Sequence, residues 1–324
     1  MKIVFFHHEA LPVSGYGGTE RILFWHMVEL VRRGEQVVLV GHPDSKVKEY
    51  GIELLTYKDE LKQWPRMIPK GTDIVHLSFN VTLPGDIPTI NTVHGNGKIG
   101  ELFTENSVFV SKKHAEIHGS SQYIHNAIDF NEYPFCPKDK REWNNFLFLA
   151  KASWKVKNLN HAVMACRHSS KHLHVAGGRW WGLSRYIHNH GIVGGEEKLK
   201  LIRMSDALLF PVRWHEPFGI AVIEAMSQGL PVIGSPYGSL PELISKEAGF
   251  IANNYVELQK LVKENHAESF DPYIIRQYAE THFNIGRYTE KYLELYKKVI
   301  SGEKLNSSLP TYKLLQRAED LLPF

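Results

Sequence analysis

Phe210-Pro211-Val212-Arg213-Trp214-His215-Glu216-Pro217-Phe218-Gly219-Ile220-Ala221-Val222-Ile223-Glu224-Ala225-Met226-Ser227-Gln228-Gly229-Leu230-Pro231-Val232-Ile233-Gly234 is the stretch whose reading decides the architecture. An apolar strand ends at Pro211, a polar loop follows, and a helix is predicted from Phe218 or Gly219. Gly229 closes that helix and Pro231–Gly234 reads as the next strand. Strand, loop, helix and strand in so short a span form the unit of a parallel sheet with crossover helices. The stretch also carries two carboxylates, Glu216 in the loop and Glu224 about two turns inside the helix. A carboxylate accepts hydrogen bonds from vicinal hydroxyls, so the pair suits a sugar and a ribose. The N–H groups of the helix start suit the phosphate or sugar oxygens between them.

The same alternation extends in both directions. Upstream, strands are predicted at Lys2–Phe6, Gln36–Gly41, Ile52–Thr56, Asp73–Ser78, Thr89–Val93, Ser107–Val110 and Gln122–His125. Thr19–Arg33 has a helical apolar face ended by Gly34. A second series has strands near Phe146–Leu149, His172–Ala176, Gly191–Val193, Asp206–Phe210 and Pro231–Gly234. Asp271–Ile300 is helical with a break at Asn284–Gly286. The proline-bearing, charged stretch Tyr133–Arg141 between the two series is the expected linker. Residues 1–140 are thus expected to form one Rossmann-like domain and 141–285 a second. The last segment, 286–324, is expected to return to the first. Ligands in such sheets bind beyond the carboxyl ends of the strands.

Two further segments carry chemistry. Ser14-Gly15-Tyr16-Gly17-Gly18-Thr19-Glu20 follows the first strand and opens the first helix, where glycines let N–H groups approach a phosphate. It departs from the dinucleotide fingerprint, because Glu20 stands at the third glycine position. Ala150-Lys151-Ala152-Ser153-Trp154-Lys155-Val156-Lys157-Asn158 places three lysines after a strand end, a charge that would neutralise a pyrophosphate leaving group. A solvated surface run is the alternative reading.

In these residues the chain resembles family 4 of the retaining glycosyltransferases, which have the GT-B fold of two Rossmann-like domains with parallel sheets facing a cleft. Glu216-Pro217-Phe218-Gly219 through Glu224-Ala225-Met226 is similar to the family's Glu-x7-Glu signature. Gly15-Tyr16-Gly17-Gly18 with Glu20, Thr92-Val93-His94-Gly95, Asn126-Ala127-Ile128-Asp129 and Pro241-Glu242-Leu243-Ile244 agree with it in order. The resemblance implies a metal-independent hexosyltransferase. Its donor would be a UDP-sugar, with a GDP-sugar as the alternative, and its acceptor a small molecule, glycan or lipid-linked molecule. It implies that Glu216 binds donor-sugar hydroxyls and Glu224 the ribose hydroxyls. Backbone around Phe218, Gly219 and Ile220 would hold sugar and phosphate, Gly17 and Gly18 would face the diphosphate, and Ile192 and Val193 would meet the base. His94 would approach the transferred sugar, while Lys151 and Lys157 would stabilise the leaving diphosphate. The chain departs from the family pattern in three places. Ala150-Lys151 stands where Gly-Arg is usual, Asn158 where glycine is common, and Asn126-Ala127 where Asn-Gly is. An extra residue before Lys157 leaves Lys155 as the alternative phosphate ligand.

The 324-residue composition fits two ordinary globular domains. Residues 1–140 carry 15 Lys+Arg against 17 Asp+Glu, and subtraction from 38 and 35 leaves 23 against 18 for residues 141–324. The excess positive charge of the second half suits an anionic ligand and gives no footprint for nucleic acid. No apolar run reaches the roughly 18 residues of a membrane span, and peripheral membrane contact is not indicated. With no leader-like segment and two cysteines, the chain reads as cytoplasmic. No Asp-x-Asp occurs, so the charge facing a diphosphate must come from the protein and no metal or cofactor is expected. The histidine pairs His172-x-His174 and His188-x-His190 read as incidental. Competing readings are a nucleotide-sugar-binding module, a nucleotide-sugar epimerase or phosphorylase, and, weakest, a dehydrogenase.

Overall fold

The computed structural model describes residues 1–324 apart from Ser14, Tyr16, 57–60, Thr82, Pro84 and Asp139. Two positions of the glycine-rich motif, Ser14 and Tyr16, therefore lie outside the described residues. The chain divides into two compact units. The first comprises Met1–Val13, Gly17–Ala127 and Ile285–Gln316, and the core of the second is Ile128–Asn284 with Arg317–Phe324.

In the first unit, β1 (Lys2–His7), α1 (Gly18–Arg32), β2 (Gln36–Gly41), β3 (Glu53–Thr56), β4 (Ile74–Leu77), β5 (Thr89–Val93), β6 (Ser107–Phe109) and α2 (Lys112–Ile117) follow in sequence. All six strands are parallel, in the order β3-β2-β1-β4-β5-β6. Ile3, Val4 and Phe5 of the central β1 have no exposed surface, as expected where a parallel sheet is covered on both faces. The expected strand at Gln122–His125 is reduced to a single bridge between Tyr123 and Phe109. Phe109 N–H to the Gln122 carbonyl and Ile124 N–H to the Phe109 carbonyl, at 3.0 and 2.9 Å, tie it to β6.

The second unit repeats this plan with β7 (Asn145–Leu149), α3 (Leu159–His168), β8 (His172–Ala176), β9 (Ile187–Gly191), α4 (Gly195–Met204), β10 (Ala207–Phe210), α5 (Ile220–Ser227), β11 (Val232–Gly234), α6 (Leu240–Leu243), β12 (Gly249–Ile251), α7 (Tyr255–Lys263) and α8 (Pro272–His282). Its order, β12-β11-β10-β7-β8-β9, is that of the first sheet when each unit is numbered from its own first strand. In both, the chain reverses winding direction beside the first strand, between β1 and β4 and between β7 and β10. That is the point where open α/β sheets bind ligands. The strand expected at Gly191–Val193 lies earlier, at Ile187–Gly191, because Gly191 is left-handed (φ 73°) and turns the chain towards α4. The expected linker packs inside this unit. The Lys138 ammonium reaches Asp206 at 2.7 Å, and the Arg141 guanidinium donates to the Gly229 carbonyl.

The last helix, α9 (Ile285–Ile300), belongs to the first unit and packs on α1. It does so through a buried polar network. His26 of α1 pairs Nδ1 with Thr289 Oγ1 at 2.9 Å and Nε2 with Tyr296 OH at 2.8 Å. His76 of β4 pairs with the same Tyr296 hydroxyl at 2.6 Å and with Thr92 Oγ1 at 2.7 Å, and Thr92 meets Tyr292 OH at 2.6 Å. Every polar ring atom of the two histidines has a partner, so the burial is compensated. Burial, reinforced by Arg33, lowers the His26 pKa to about 3. His76 is held well below its usual value by burial and then by its histidine neighbours.

Both imidazoles are therefore neutral in the fold, whereas the unfolded chain takes up their protons below pH ~6.5. Their contribution to stability is complete above that pH and declines as pH falls towards the folded values. Each histidine adds a slope of about 1.4 kcal/mol per pH unit in that window. Urea unfolding at neutral pH and at about pH 5 is expected to show the loss, with a flatter dependence in His26→Gln. Equal midpoints at both pH values would contradict the assignment.

Candidate functional site

In the second unit the loops that follow β7 and β10 flank the switch point, and they carry the first carboxylate and its cation. Lys157 closes a short 3-10 turn, Lys155–Lys157, and its ammonium meets Glu216 Oε2 at 2.6 Å. Trp214 Nε1 donates to the same oxygen at 2.6 Å, and the ammonium lies 4.9 Å from the Trp214 ring centroid and 5.3 Å from that of Phe210. Lys157 and Glu216 are both buried. The two loops are tied together by the Arg213 N–H to the Val156 carbonyl at 2.7 Å. The Asn158 amide adds a bond to the Pro211 carbonyl at 2.8 Å. Asn158 is left-handed (φ 61°), a conformation asparagine tolerates better than most residues, so it replaces the commoner glycine without loss of the turn.

The backbone behind Glu216 is held by a second loop. Ser239 donates its N–H to the Glu216 carbonyl at 2.9 Å and its hydroxyl to the Phe218 carbonyl at 2.6 Å. Gly238 must be glycine: at φ 63° a Cβ there would lie 2.2 Å from the Glu216 nitrogen. Gly219, at φ 87°, turns the chain into α5, which starts at Ile220. Phe218 is buried, while Ile220 is half-buried at the first turn.

Glu224 lies in the second turn of α5 and is also buried. Its Oε1 accepts from the Lys198 ammonium of α4, and from the Tyr133 hydroxyl at 2.6 Å. Lys198 is buried too. Arg276 holds Tyr133 in place, donating to the Tyr133 and Ser227 carbonyls at 2.9 and 2.7 Å. One unit thus contains two buried lysine–carboxylate pairs, with carboxylates eight residues apart at the start of one helix.

Lys198, Tyr133 and Trp214 were not singled out by the sequence reading. The available signal for Lys198 was its position within a helix that opens on Gly194-Gly195. Its neighbours Glu196, Glu197 and Lys200 are exposed while it is buried. The other expected residues are placed as follows. Lys151 is exposed, its ammonium 4.9 Å from the Trp154 ring centroid, and Lys155 is exposed. Ile192 is exposed and Val193 buried just before α4. In the first unit Gly17 and Gly18 form the start of α1. His94 follows β5 with a buried Nδ1 that lacks a hydrogen-bond partner, and burial, aided by His7, lowers its pKa to about 4. The histidine pairs join β8 to β9, with His172 Nδ1 2.9 Å from His188 Nε2 and His174 Nδ1 3.0 Å from His190 Nε2. They bond one another across the strands.

A buried carboxylate without its cation is costly. Lys198→Met is expected to destabilise the chain by about 3–5 kcal/mol, and adding Glu224→Gln to that variant should recover most of the loss. Urea unfolding of the single and double variants checks this, and a double variant no more stable than Lys198→Met would contradict the pairing.

Residues 137–265, which hold both pairs except Tyr133, match the family model described as "Glycosyl transferases group 1". A curated protein of the cps region of Klebsiella pneumoniae is 31% identical over 113 residues, 33% of this chain and 31% of that one. The spore coat protein SA of Bacillus subtilis is 29% identical over 137 residues, 40% and 35% of the two chains. The chain spans about a third of the length of these curated relatives. Among solved structures, AviGT4, a glycosyltransferase involved in avilamycin A biosynthesis, superposes with a TM-score of 0.73 at 20% identity. The match covers 93% of this chain and 98% of that one. Anabaena Alr3699/HepE, in complex with UDP and glucose, gives 0.66 at 15% identity over 92% and 99%. The chain therefore has the GT-B fold, and its residues 137–265 are similar to the group 1 glycosyl transferases.

Proposed function

We propose that the protein is a retaining, metal-independent glycosyltransferase that uses a nucleoside-diphosphate sugar, with UDP as the nucleotide. The observation that carries this reading is the pairing of each switch-point carboxylate with its own buried lysine, Lys157 with Glu216 and Lys198 with Glu224. Glu216 serves the transferred sugar's hydroxyls and Glu224 the ribose hydroxyls. An ammonium has three donors. Lys157 can therefore keep Glu216 in position while donating to a phosphate oxygen, whereas the exposed Lys155 lacks that anchor. The UDP complex of Alr3699/HepE supports the nucleotide class.

In the transfer, the bond between the anomeric carbon and the phosphate oxygen breaks, and the acceptor oxygen bonds that carbon from the same face. The acceptor proton passes to the departing phosphate oxygen. Lys157, Lys151 and the first turn of α5 offset the charge that develops on the diphosphate. Neutral at physiological pH, His94 is suited to exchange a hydrogen bond with a sugar hydroxyl. The acceptor is left open among small molecules, glycans and lipid-linked molecules. No helix among the described residues is long and apolar enough to cross a membrane.

A thermal-shift panel of UDP, GDP, ADP and their sugars identifies the donor, since saturation at 100 Kd adds about 2.7 kcal/mol of stability. With the stabilising donor, Lys157→Ala is expected to slow nucleotide release by about 10²–10³-fold, Lys155→Ala to leave it near the parent rate, and EDTA to have no effect. NMR of the glycosylated product should show the donor's anomeric configuration. A binding module would be stabilised by donor yet release no nucleotide, and an epimerase would return an isomerised donor; either result would overturn the proposal.

A further inference from the structure

The first unit holds a cluster that the transfer reaction does not use. His7 ends β1, Glu9 follows two residues later, and Glu20 stands in the first turn of α1. One nitrogen of His7 and one oxygen of each carboxylate all lie within 4.8 Å of one another, the one such grouping of three among the described residues. The three converge at the end of β1, beside the winding reversal between β1 and β4. This is the place in the first sheet that corresponds to the lysine–carboxylate site of the second.

Two carboxylates alone would be an ordinary solvated feature, and a glutamate in the first turn of a helix already complements the helix dipole. The histidine changes that reading. His7 is only 6% exposed, and its Nε2 is shielded from solvent with no hydrogen-bond partner. Leaving such a nitrogen unmatched costs the desolvation of a polar group, and native structures seldom leave one without a cause. A neutral imidazole has a lone pair to give a metal ion. The mouth of the cluster is open, because Glu9 is exposed and Glu20 half-buried. Gly17 leaves room for the Glu20 carboxylate, as a Cβ there would lie 2.9 Å from Glu20 Oε2.

We propose that His7, Glu9 and Glu20 form a binding site for one divalent first-row transition-metal ion, with water completing the coordination. One imidazole and two carboxylates are a mixed nitrogen and oxygen set suited to Mn2+ or Zn2+. Metal–ligand bonds of about 2.0–2.2 Å need donors roughly 3 Å apart, so a small rotation of the two glutamates closes the shell around the fixed histidine. A cation there would take a His7 nitrogen as ligand and neutralise both carboxylates. The site is separate from the residues assigned to donor binding in the second unit, and it stands whether or not the chain transfers sugar.

The test titrates Mn2+ alone into the full chain and follows free and bound ion by electron paramagnetic resonance, with pulsed detection of a coordinated nitrogen. The expected result is one ion per chain carrying a histidine nitrogen coupling. Glu9→Gln and Glu20→Gln, at accessible positions, should each weaken binding by at least about tenfold, and His7→Ala should abolish the nitrogen coupling. His188→Asn should change neither quantity, which distinguishes this site from the histidine pairs of β8 and β9. Absence of a saturable site, affinity indifferent to both glutamate variants, or a nitrogen coupling that survives in His7→Ala would overturn the proposal. If His7→Ala does not fold, the two glutamate variants alone decide it.

Discussion

Two ammonium–carboxylate pairs withdrawn from water set the requirements for the rest of the second unit. Isolated charges cannot be buried, and even a matched pair repays its desolvation only when the geometry is good and the other polar atoms find partners. The surroundings of Glu216 and Glu224 meet that condition with local means. Trp214 adds a second donor to Glu216 and aromatic faces to Lys157, while Tyr133 adds a second donor to Glu224. The supporting shell, Arg276 behind Tyr133 and Gly238-Ser239 behind Glu216, fixes the backbone from which the carboxylates project. In the proposed function, such rigidity would lower the reorganisation cost of recognising hydroxyl and phosphate groups.

The first unit solves a comparable problem with uncharged groups. His26, His76, Thr92, Thr289, Tyr292 and Tyr296 share hydrogen bonds deep between α1, β4, β5 and α9, and burial keeps the imidazoles neutral. The network commits α9 to one register against the sheet, because an apolar helix face alone could slide while a chain of hydrogen bonds cannot. The consequence is a fold whose stability drains away in mild acid.

Much of the architecture was legible in the sequence because period and punctuation agreed. Gln36–Gly41, Thr89–Val93 and His172–Ala176 were read with the bounds the structure shows, and the break near Asn284 separates α8 from α9. β9 was misplaced for a physical reason: Ile187-His188-Asn189-His190-Gly191 is polar, an edge strand whose histidines bond sideways to β8, so the apolar signal fell instead on Ile192-Val193. β12 has three residues, too few for a pattern, and is held by pairing with β11. At the site, Glu216, Glu224 and the nearby lysines could be singled out because their loops and helix have recognisable sequence neighbours. Lys198 and Tyr133 were not, since they meet Glu224 across 26 and 91 residues of chain and only the folded sheet brings them there. The difference between Lys155 and Lys157 was likewise hidden, because only the 3-10 turn buries Lys157 and exposes Lys155.

The most direct test of the account is a crystal structure of the chain with UDP. It should place the ribose hydroxyls on the Glu224 carboxylate and a phosphate oxygen within hydrogen-bond reach of the Lys157 ammonium, with Lys157 still against Glu216. A UDP molecule seated away from both carboxylates, with Lys157 and Lys198 unaltered and without nucleotide contact, would contradict it.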